Sequence, residues 1–329
     1  MKIRKTCALG RLYLDKNHPI CEDFAELKLM RAVCKGDAEA ATALFRDKKL
    51  FGGVPCVIDA PYKRYEGLEG VKAFAEEFLG VFQAQAAEVI PVIQTRANGR
   101  SVTEMQIDFV VDGEINQVPL FVVADLRNAT LLDEVRIYTH STYVPGLQAY
   151  RKPMFRSSHM EMGEPGLMTG AVREYYEALH HLPAVDVERI MNCMADDCHF
   201  GGYDLDDENH IPATNKEEMR VKYQGMATYI PRCVGMRYET LIDDGRNCVI
   251  EWVHVVSRAG REERGRIAMS GIAAYERNEE GLLCAVRISD YAYMEPTIDW
   301  SKVDVDRIDA EEFNLVEEFP NGAPIKLPR

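Results

Sequence analysis

An aspartate near the end of the chain has the surroundings that acid–base chemistry requires. In the strand predicted over residues 282–294, Asp290 shares a face with Val286 and Ile288, because side chains alternate along a strand. Burial among apolar groups raises the pKa of a carboxyl group toward the range in which it exchanges protons near neutral pH. We therefore expect Asp290 to be catalytic. The alternative is a twisted strand end, where Asp290 reaches solvent or Arg287.

A histidine on an earlier predicted strand is the second candidate. In residues 248–257, His254 alternates with Ile250 and Trp252 onto one face. An imidazole can accept or donate a proton near neutral pH, so we expect His254 to form an acid–base pair with Asp290. The alternative is a core histidine whose ring is hydrogen-bonded to a backbone carbonyl group.

Aromatic side chains are the candidates for the wall of a substrate pocket. A phenol can orient a carbonyl group or stabilise an oxyanion, although many buried tyrosines serve only as amphipathic wall. The predicted substrate-binding residues are Tyr175, Tyr203, Tyr223 and Trp252.

These candidates fall in the second half of a chain that repeats itself. Residues 37–81 return 149 positions later as residues 186–230, and the sequence Phe-Gly-Gly at 51–53 returns at 200–202. A period of this length is one domain, so the chain is interpreted as two copies of one fold. The first copy has Thr139, Ile107 and Phe74 where the second has Asp290, His254 and Tyr223. We expect the second copy to be the working site.

Each copy begins with helical periodicity and ends with alternating, strand-like segments, which predicts an α+β fold. The expected layout is an N-terminal arm at 1–23, a first domain at 24–146, a linker at 147–167, a second domain at 168–296 and an acidic C-terminal arm at 297–329.

This order of elements resembles the SnoaL-like branch of the nuclear transport factor 2-like (NTF2-like) superfamily. The resemblance is carried by LFRDKKLFGG and CMADDCHFGG, and by the hairpins RNATLLDEVRIYTH and NEEGLLCAVRISDY. It implies two tandem cone-shaped α+β barrel domains, each with three N-terminal helices on a curved antiparallel sheet. In ketosteroid isomerases of this fold, the catalytic aspartate would align with Gly53 and Gly202, so their specific mechanism is not expected, although Tyr175 matches their helix-one tyrosine.

Composition excludes several other classes of protein. The formal charge of −14 at pH 7 disfavours nucleic acid and anionic membranes as partners. Nine scattered cysteines without a CxxC pair favour reduced thiols and a cytoplasmic location. No metal or other cofactor is expected, because the acidic run at 199–210 fits no known metal-binding loop. The outer face of each sheet is expected to form a domain–domain pseudo-dimer or homodimer contact, through Arg136, Tyr138, His140, Arg287, Tyr291 and Tyr293.

The sequence thus predicts a cofactor-independent enzyme. Its reaction would be proton transfer (isomerisation, dehydration or cyclisation) on an apolar carbonyl-type substrate in the second domain. The alternative is a non-catalytic binding or scaffolding protein that sequesters a hydrophobic small molecule.

Overall fold

The computed structural model describes residues 2–16, 18–46, 55–128, 130–140, 143–145, 168–179, 185–203, 212–227, 232–257 and 266–290. These residues form two compact units, which we call unit 1 and unit 2. Of the described residues, unit 1 contains those up to 145 together with Gly202 and Tyr203, and unit 2 contains the rest.

Among its described residues, unit 1 places four α-helices beside one sheet. The helices are α1 (Ala8–Tyr13), α2 (Ala25–Cys34), α3 (Ala38–Ala43) and α4 (Gly67–Val81). The strands are β1 (Lys2–Lys5), β2 (Val57–Asp59), β3 (Arg64–Glu66), β4 (Ala86–Ala97), β5 (Arg100–Val111), β6 (Glu114–Leu126) and β7 (Leu132–Tyr138). Their order in the sheet is β3-β2-β7-β6-β5-β4, and β1 pairs in parallel with the start of β6.

The described residues of unit 2 show the same order of elements, with fewer helices and strands. Its helices are α5 (Gly170–Leu179), α6 (Val187–Asn192) and α7 (Lys216–Met226). Its strands are β8 (Met194–Phe200), β9 (Arg232–Asp243), β10 (Asn247–Ser257), β11 (Arg266–Arg277) and β12 (Leu283–Asp290). The sheet order is β8-β12-β11-β10-β9, which matches β2-β7-β6-β5-β4 strand for strand. The fold class is α+β, as predicted.

The starts of helices α3 and α6 each follow from one aspartate. The Asp37 carboxylate accepts a hydrogen bond from the Ala40 N–H at 2.9 Å, and the Asp186 carboxylate accepts one from the Arg189 N–H at 3.0 Å. Each carboxylate satisfies a backbone donor that the first turn of a helix leaves open. The two aspartates are 149 positions apart, so the repeat in the sequence corresponds to a repeated helix start.

The strand pairings show that the two sheets also correspond residue by residue. Arg136 pairs with Val123 in unit 1, and Arg287 pairs with Ala274 in unit 2, with both partners displaced by 151 positions. The Phe-Gly-Gly echo behaves differently. Phe200 pairs with Val286, but the residue that makes the equivalent pairing in unit 1 is Ile58, and residues 51–53 lie outside the described part of the chain. The connection from α3 to β2 is longer than that from α6 to β8. For this reason β2 does not coincide with the residues that repeat the sequence Phe-Gly-Gly.

One face of each sheet packs against the helices, and we call it the inner face. In unit 1, Ser101 and Thr103 of β5 donate hydrogen bonds to Glu26 of α2, so alternate residues of β5 face the helices. In unit 2, the ring of Tyr275 on β11 lies 5.0 Å from that of Tyr175 on α5. Register then places Val286 and Ile288 on the inner face and Arg287 on the outer face, as the period of two predicts.

Candidate functional site

The inner side of unit 2 contains a cluster of buried tyrosines. The hydroxyl oxygens of Tyr175 on α5 and Tyr223 on α7 lie 2.6 Å apart, and either can be the donor. Tyr275 packs against Tyr175 from the sheet, and the ring of Phe200 lies edge-on to Tyr223. The two phenols are fully buried, so their hydrogen bond is shielded from water.

Burial sets the protonation state of this pair. It raises the pKa of Tyr223 well above its ordinary value, and the neighbouring Tyr175 adds to the effect. Tyr223 is therefore a neutral phenol at physiological pH. Its chemistry is that of a hydrogen-bond donor or acceptor, not that of a base.

The matching positions of unit 1 are apolar. The Asp186 N–H donates to the Ala178 carbonyl group, as the Asp37 N–H donates to that of Ala32, so α5 and α2 correspond at an offset of 146. Tyr175 then corresponds to Leu29, while Tyr223 corresponds to Phe74 at the offset of 149. Phe74 packs against Tyr65 and Phe78, and neither Leu29 nor Phe74 carries a hydroxyl group.

A row of three residues crosses the sheet of unit 2. Trp252 pairs with Gly271, and Gly271 pairs with Asp290. A β-carbon on Gly271 would lie 2.3 Å from the indole of Trp252, so the ring rests directly on the glycine. At the positions of Trp252 and Gly271, unit 1 has Met105 and Leu120. These two side chains are closer to each other in size than an indole and a hydrogen atom.

The two predicted acid–base residues, Asp290 and His254, lie in or next to this row. Asp290 follows Gly271 in the row, and His254 lies two residues along β10 from Trp252. From strand spacing and rise, their α-carbons are about 12 Å apart. The side chains of His254 and Asp290 lie outside the described part of the structure. Their catalytic role therefore stays a prediction.

Tyr203 does not lie with the other predicted pocket residues. The structure groups it with unit 1, where its ring stacks on Phe121 at a centroid distance of 4.0 Å. Its hydroxyl donates to the carboxylate of Glu104 at 3.2 Å. The expectation that Tyr203 lines a pocket of the second domain is corrected accordingly. The cause is local, because Gly201 and Gly202 both have φ near +116°, which redirects the chain after β8.

Unit 1 has a buried acid that the sequence patterns do not single out. Both carboxyl oxygens of Glu26 accept hydrogen bonds, from Ser101 at 2.8 Å and Thr103 at 2.9 Å. All three residues are fully buried, and burial raises the pKa of Glu26 more than these hydrogen bonds lower it. A helix-face glutamate looks solvent-exposed in sequence. The one available signal is the pair of hydroxyl residues at alternate positions of β5.

The outer faces carry matching clusters of buried charge. In unit 1, Asp125 accepts two hydrogen bonds from Arg136, at 3.0 and 3.3 Å, and one from Arg100 at 2.7 Å. Burial acts to raise the pKa of Asp125, but the two guanidinium groups outweigh it and hold that pKa below its ordinary value.

In unit 2, Glu276 takes the place of Asp125. It accepts hydrogen bonds from Arg287 at 3.1 Å and from Arg246 at 2.8 Å. Arg136 and Arg287 have no exposed surface, although an outer sheet face is normally open to solvent. The predicted parity of Arg136, Tyr138 and Arg287 is confirmed. Tyr291 and Tyr293 lie outside the described residues.

An open groove of about 470 Å³ lies on the surface of unit 2, and none of the predicted site residues lines it. Its rim includes Asp196, Asp197, Glu279 and Glu280, while the Lys216 ammonium group donates to the Met194 carbonyl group at 2.9 Å. Within the described part of the chain, no cluster of three or more metal-ligating side chains occurs. None of the described helices is long and apolar enough to cross a bilayer.

Comparison with known proteins gives structural likenesses only. No protein-family model and no curated protein matches the sequence. An NTF2-like protein of unknown function from Cytophaga hutchinsonii is 11% identical, covering 37% of this chain and 92% of its own at a TM-score of 0.27. One from Burkholderia pseudomallei is 15% identical, covering 36% and 87% at 0.28.

A third similar structure is the epoxide hydrolase/cyclase-like enzyme SalBIII, which acts in pyran ring formation in the polyether salinomycin. It is 14% identical, covering 36% of this chain and 87% of its own at a TM-score of 0.29. With TM-scores of 0.27 to 0.29, these likenesses establish neither a family nor an activity for this chain.

Proposed function

We propose that both units have the cone-shaped NTF2-like fold of the SnoaL-like type, and that unit 2 is a cofactor-independent enzyme. Its reaction is proton transfer on an apolar carbonyl-type substrate, leading to isomerisation, dehydration or cyclisation. The matching strand orders of the two units support the first part of the proposal. The inner face of unit 2 supports the second.

The observation that carries the function is the hydrogen-bonded phenol pair. Tyr175 and Tyr223 place two hydroxyl groups 2.6 Å apart in a buried, apolar setting where unit 1 has Leu29 and Phe74. A phenol that accepts a hydrogen bond from a second phenol becomes a stronger donor. Such a donor stabilises the oxyanion that forms when a carbon next to a carbonyl group loses a proton.

The base in this proposal is Asp290. Its carboxylate takes a proton from the carbon next to the carbonyl group, and the negative charge moves to the oxygen that a phenol holds. The proton then returns at another carbon, which gives isomerisation. For dehydration, His254 protonates a departing hydroxyl group, which leaves as water. Trp252 and Gly271 form the wall beside Asp290 in the register of the sheet.

Hydrogen–deuterium exchange tests the proposal directly. A panel of cyclic ketones and enones is incubated with the protein in deuterated buffer, and solvent deuterium in the recovered compound is measured by NMR. We expect Tyr223→Phe to slow exchange about 100- to 1,000-fold, the usual cost of removing one oxyanion donor. Asp290→Asn should abolish it, because the base is lost.

Matched controls come from unit 1. Thr139→Ser and Ile107→Val change the positions that correspond to Asp290 and His254, and both should leave exchange unchanged. Folded Asp290→Asn and His254→Ala variants that still catalyse exchange at the normal rate would overturn the assignment of the acid–base pair.

The second candidate function is binding without catalysis. The complete burial of Tyr175 and Tyr223 favours it, because phenols without exposed surface also suit a closed, purely structural core. A ligand that binds with unchanged affinity to Asp290→Asn, and that the protein never deuterates, would establish this alternative.

A further inference from the structure

Two cysteines of unit 2 lie near each other on the neighbouring strands β8 and β12. The parallel strands β8 and β12 pair His199 with Ala285 and Phe200 with Val286. One residue back along each strand are Cys198 and Cys284, at the point where the register shifts before Leu283 pairs with Met194. Both are reduced cysteines in the structure.

Their backbone geometry is compatible with a covalent link. The pair next to them, His199 and Ala285, sets the strand spacing at about 4.8 Å, and each cysteine lies one residue from this pair. A disulfide needs α-carbons roughly 4.4 to 6.8 Å apart. The Cys284 thiol now donates to the Glu276 carbonyl oxygen at 3.5 Å, so it has to rotate toward β8. The cost of this rotation is one weak hydrogen bond.

The two thiols differ in how easily a reagent reaches them. Cys198 is fully buried, whereas Cys284 is partly exposed at the edge of the hairpin between β11 and β12. Burial raises the pKa of each thiol to about 11, and the nearby Cys284 adds to that shift at Cys198. Both thiols are therefore protonated and slow to react at neutral pH.

We propose that Cys198 and Cys284 form a reversible disulfide, with a low-molecular-weight disulfide such as oxidised glutathione as the oxidant. The Cys284 thiolate attacks one sulfur of glutathione disulfide and releases one glutathione thiolate. The Cys198 thiolate then attacks the Cys284 sulfur of this mixed disulfide and releases the second. The two protein thiols lose two protons and two electrons, and two molecules of reduced glutathione carry them away.

Unit 1 provides a natural negative control. Val57 pairs with Glu134 as His199 pairs with Ala285, so the residues that correspond to Cys198 and Cys284 are Cys56 and Asp133. Unit 1 thus keeps the buried cysteine but has a carboxyl group in place of its partner. A disulfide at this position is possible only in unit 2.

The consequence for activity rests on the proposed function. Cys198 lies close enough to Tyr223 to contribute to raising the pKa of that phenol. A disulfide that draws Cys198 toward β12 changes the surroundings of the phenol pair. Oxidation is then expected to alter the exchange activity of unit 2.

Peptide mapping tests the disulfide whether or not the protein is an enzyme. The full chain is incubated with glutathione disulfide, blocked with iodoacetamide and analysed by mass spectrometry without reduction. We expect a linked peptide pair that contains Cys198 and Cys284, and that dithiothreitol removes. Its rate of formation should rise about tenfold per pH unit between about pH 7 and pH 9, because the thiolate fraction does.

Three variants complete the experiment. Cys284→Ser should abolish the linked peptide, Cys248→Ser should leave it unchanged, and Asp133→Cys should create a second link to Cys56. Glutathione attached to Cys284 with Cys198 still alkylated would overturn the proposal, as would the absence of any linked peptide. Loss of the disulfide leaves the exchange assay free to succeed, so the two proposals fail separately.

Discussion

The two units differ on their inner faces and agree on their outer faces. On the outer faces, Arg136 with Asp125 and Arg287 with Glu276 form the same buried ion pairs at a constant spacing of 151 positions. On the inner faces, the buried polar groups occupy different places: a glutamate with two hydroxyl residues in unit 1, and a pair of phenols in unit 2. The difference indicates that the outer clusters belong to the framework, whereas the inner faces are where the units have specialised.

Removing the buried arginines should have the largest effect and tests whether the outer faces are equivalent. Arg136→Met leaves Asp125 with Arg100 alone, and Arg287→Met leaves Glu276 with Arg246. Each substitution should lower the free energy of unfolding of its unit by about 3–5 kcal/mol, the usual cost of breaking a buried ion pair. Hydrogen exchange of amides, followed by mass spectrometry, measures each unit separately.

The control for this experiment is Lys72→Met, which removes an exposed pair with Glu76 and should cost less than about 0.5 kcal/mol. A large effect at Arg287 with none at Arg136 would show that the outer faces are not equivalent.

Exchanging a pair of packed residues tests how the inner faces differ. Gly271→Leu forces side-chain atoms into the indole of Trp252 and should cost about 1–3 kcal/mol, or more if the backbone shifts. Adding Trp252→Met reproduces the Met105–Leu120 pair of unit 1 and should recover most of that loss. Chemical denaturation measures both variants. If the double variant is no more stable than Gly271→Leu, the two positions do not share one volume.

The pH dependence of unit 1 should give the smallest effect. The pKa of Glu26 is raised in the folded state, so its contribution is fully present below the unfolded pKa and is lost as pH rises through the folded pKa. Above about pH 4.5, the free energy of opening in unit 1 should fall with a slope of at most about 1.4 kcal/mol per pH unit. Glu26→Gln should remove this slope.

Unit 2 is the internal control for that measurement, because it has Val172 at the position of Glu26. A slope that persists in Glu26→Gln would mean that another group of unit 1 causes it.

Much of the framework follows from local patterns in the sequence. Alternation along a strand depends only on the pleat, so the inner placement of Val286 and the outer placement of Arg136 were predictable. The N-terminal aspartates of α3 and α6 were predictable for the same kind of reason, because a cap acts within one turn.

The rest depends on contacts between distant residues. Tyr203 lies beside Glu104 because two glycines redirect the chain, and no periodicity encodes that direction. Strand β2 begins after residues 51–53 because the connection between α3 and β2 is longer than its counterpart in unit 2. Identical residues in the two repeats are therefore not at equivalent positions in the sheets. Glu26 escaped detection because its two hydroxyl partners are more than seventy residues away.

The placement of Tyr203 has a consequence for how the protein emerges from the ribosome. Unit 1 includes this residue, although the chain must first be translated through helices α5 and α6 and strand β8 of unit 2. Until then Phe121 lacks the stacking contact, and Glu104 lacks the hydrogen bond, that Tyr203 provides. Unit 1 therefore cannot reach its final state during its own synthesis, and its completion is timed by the synthesis of its neighbour.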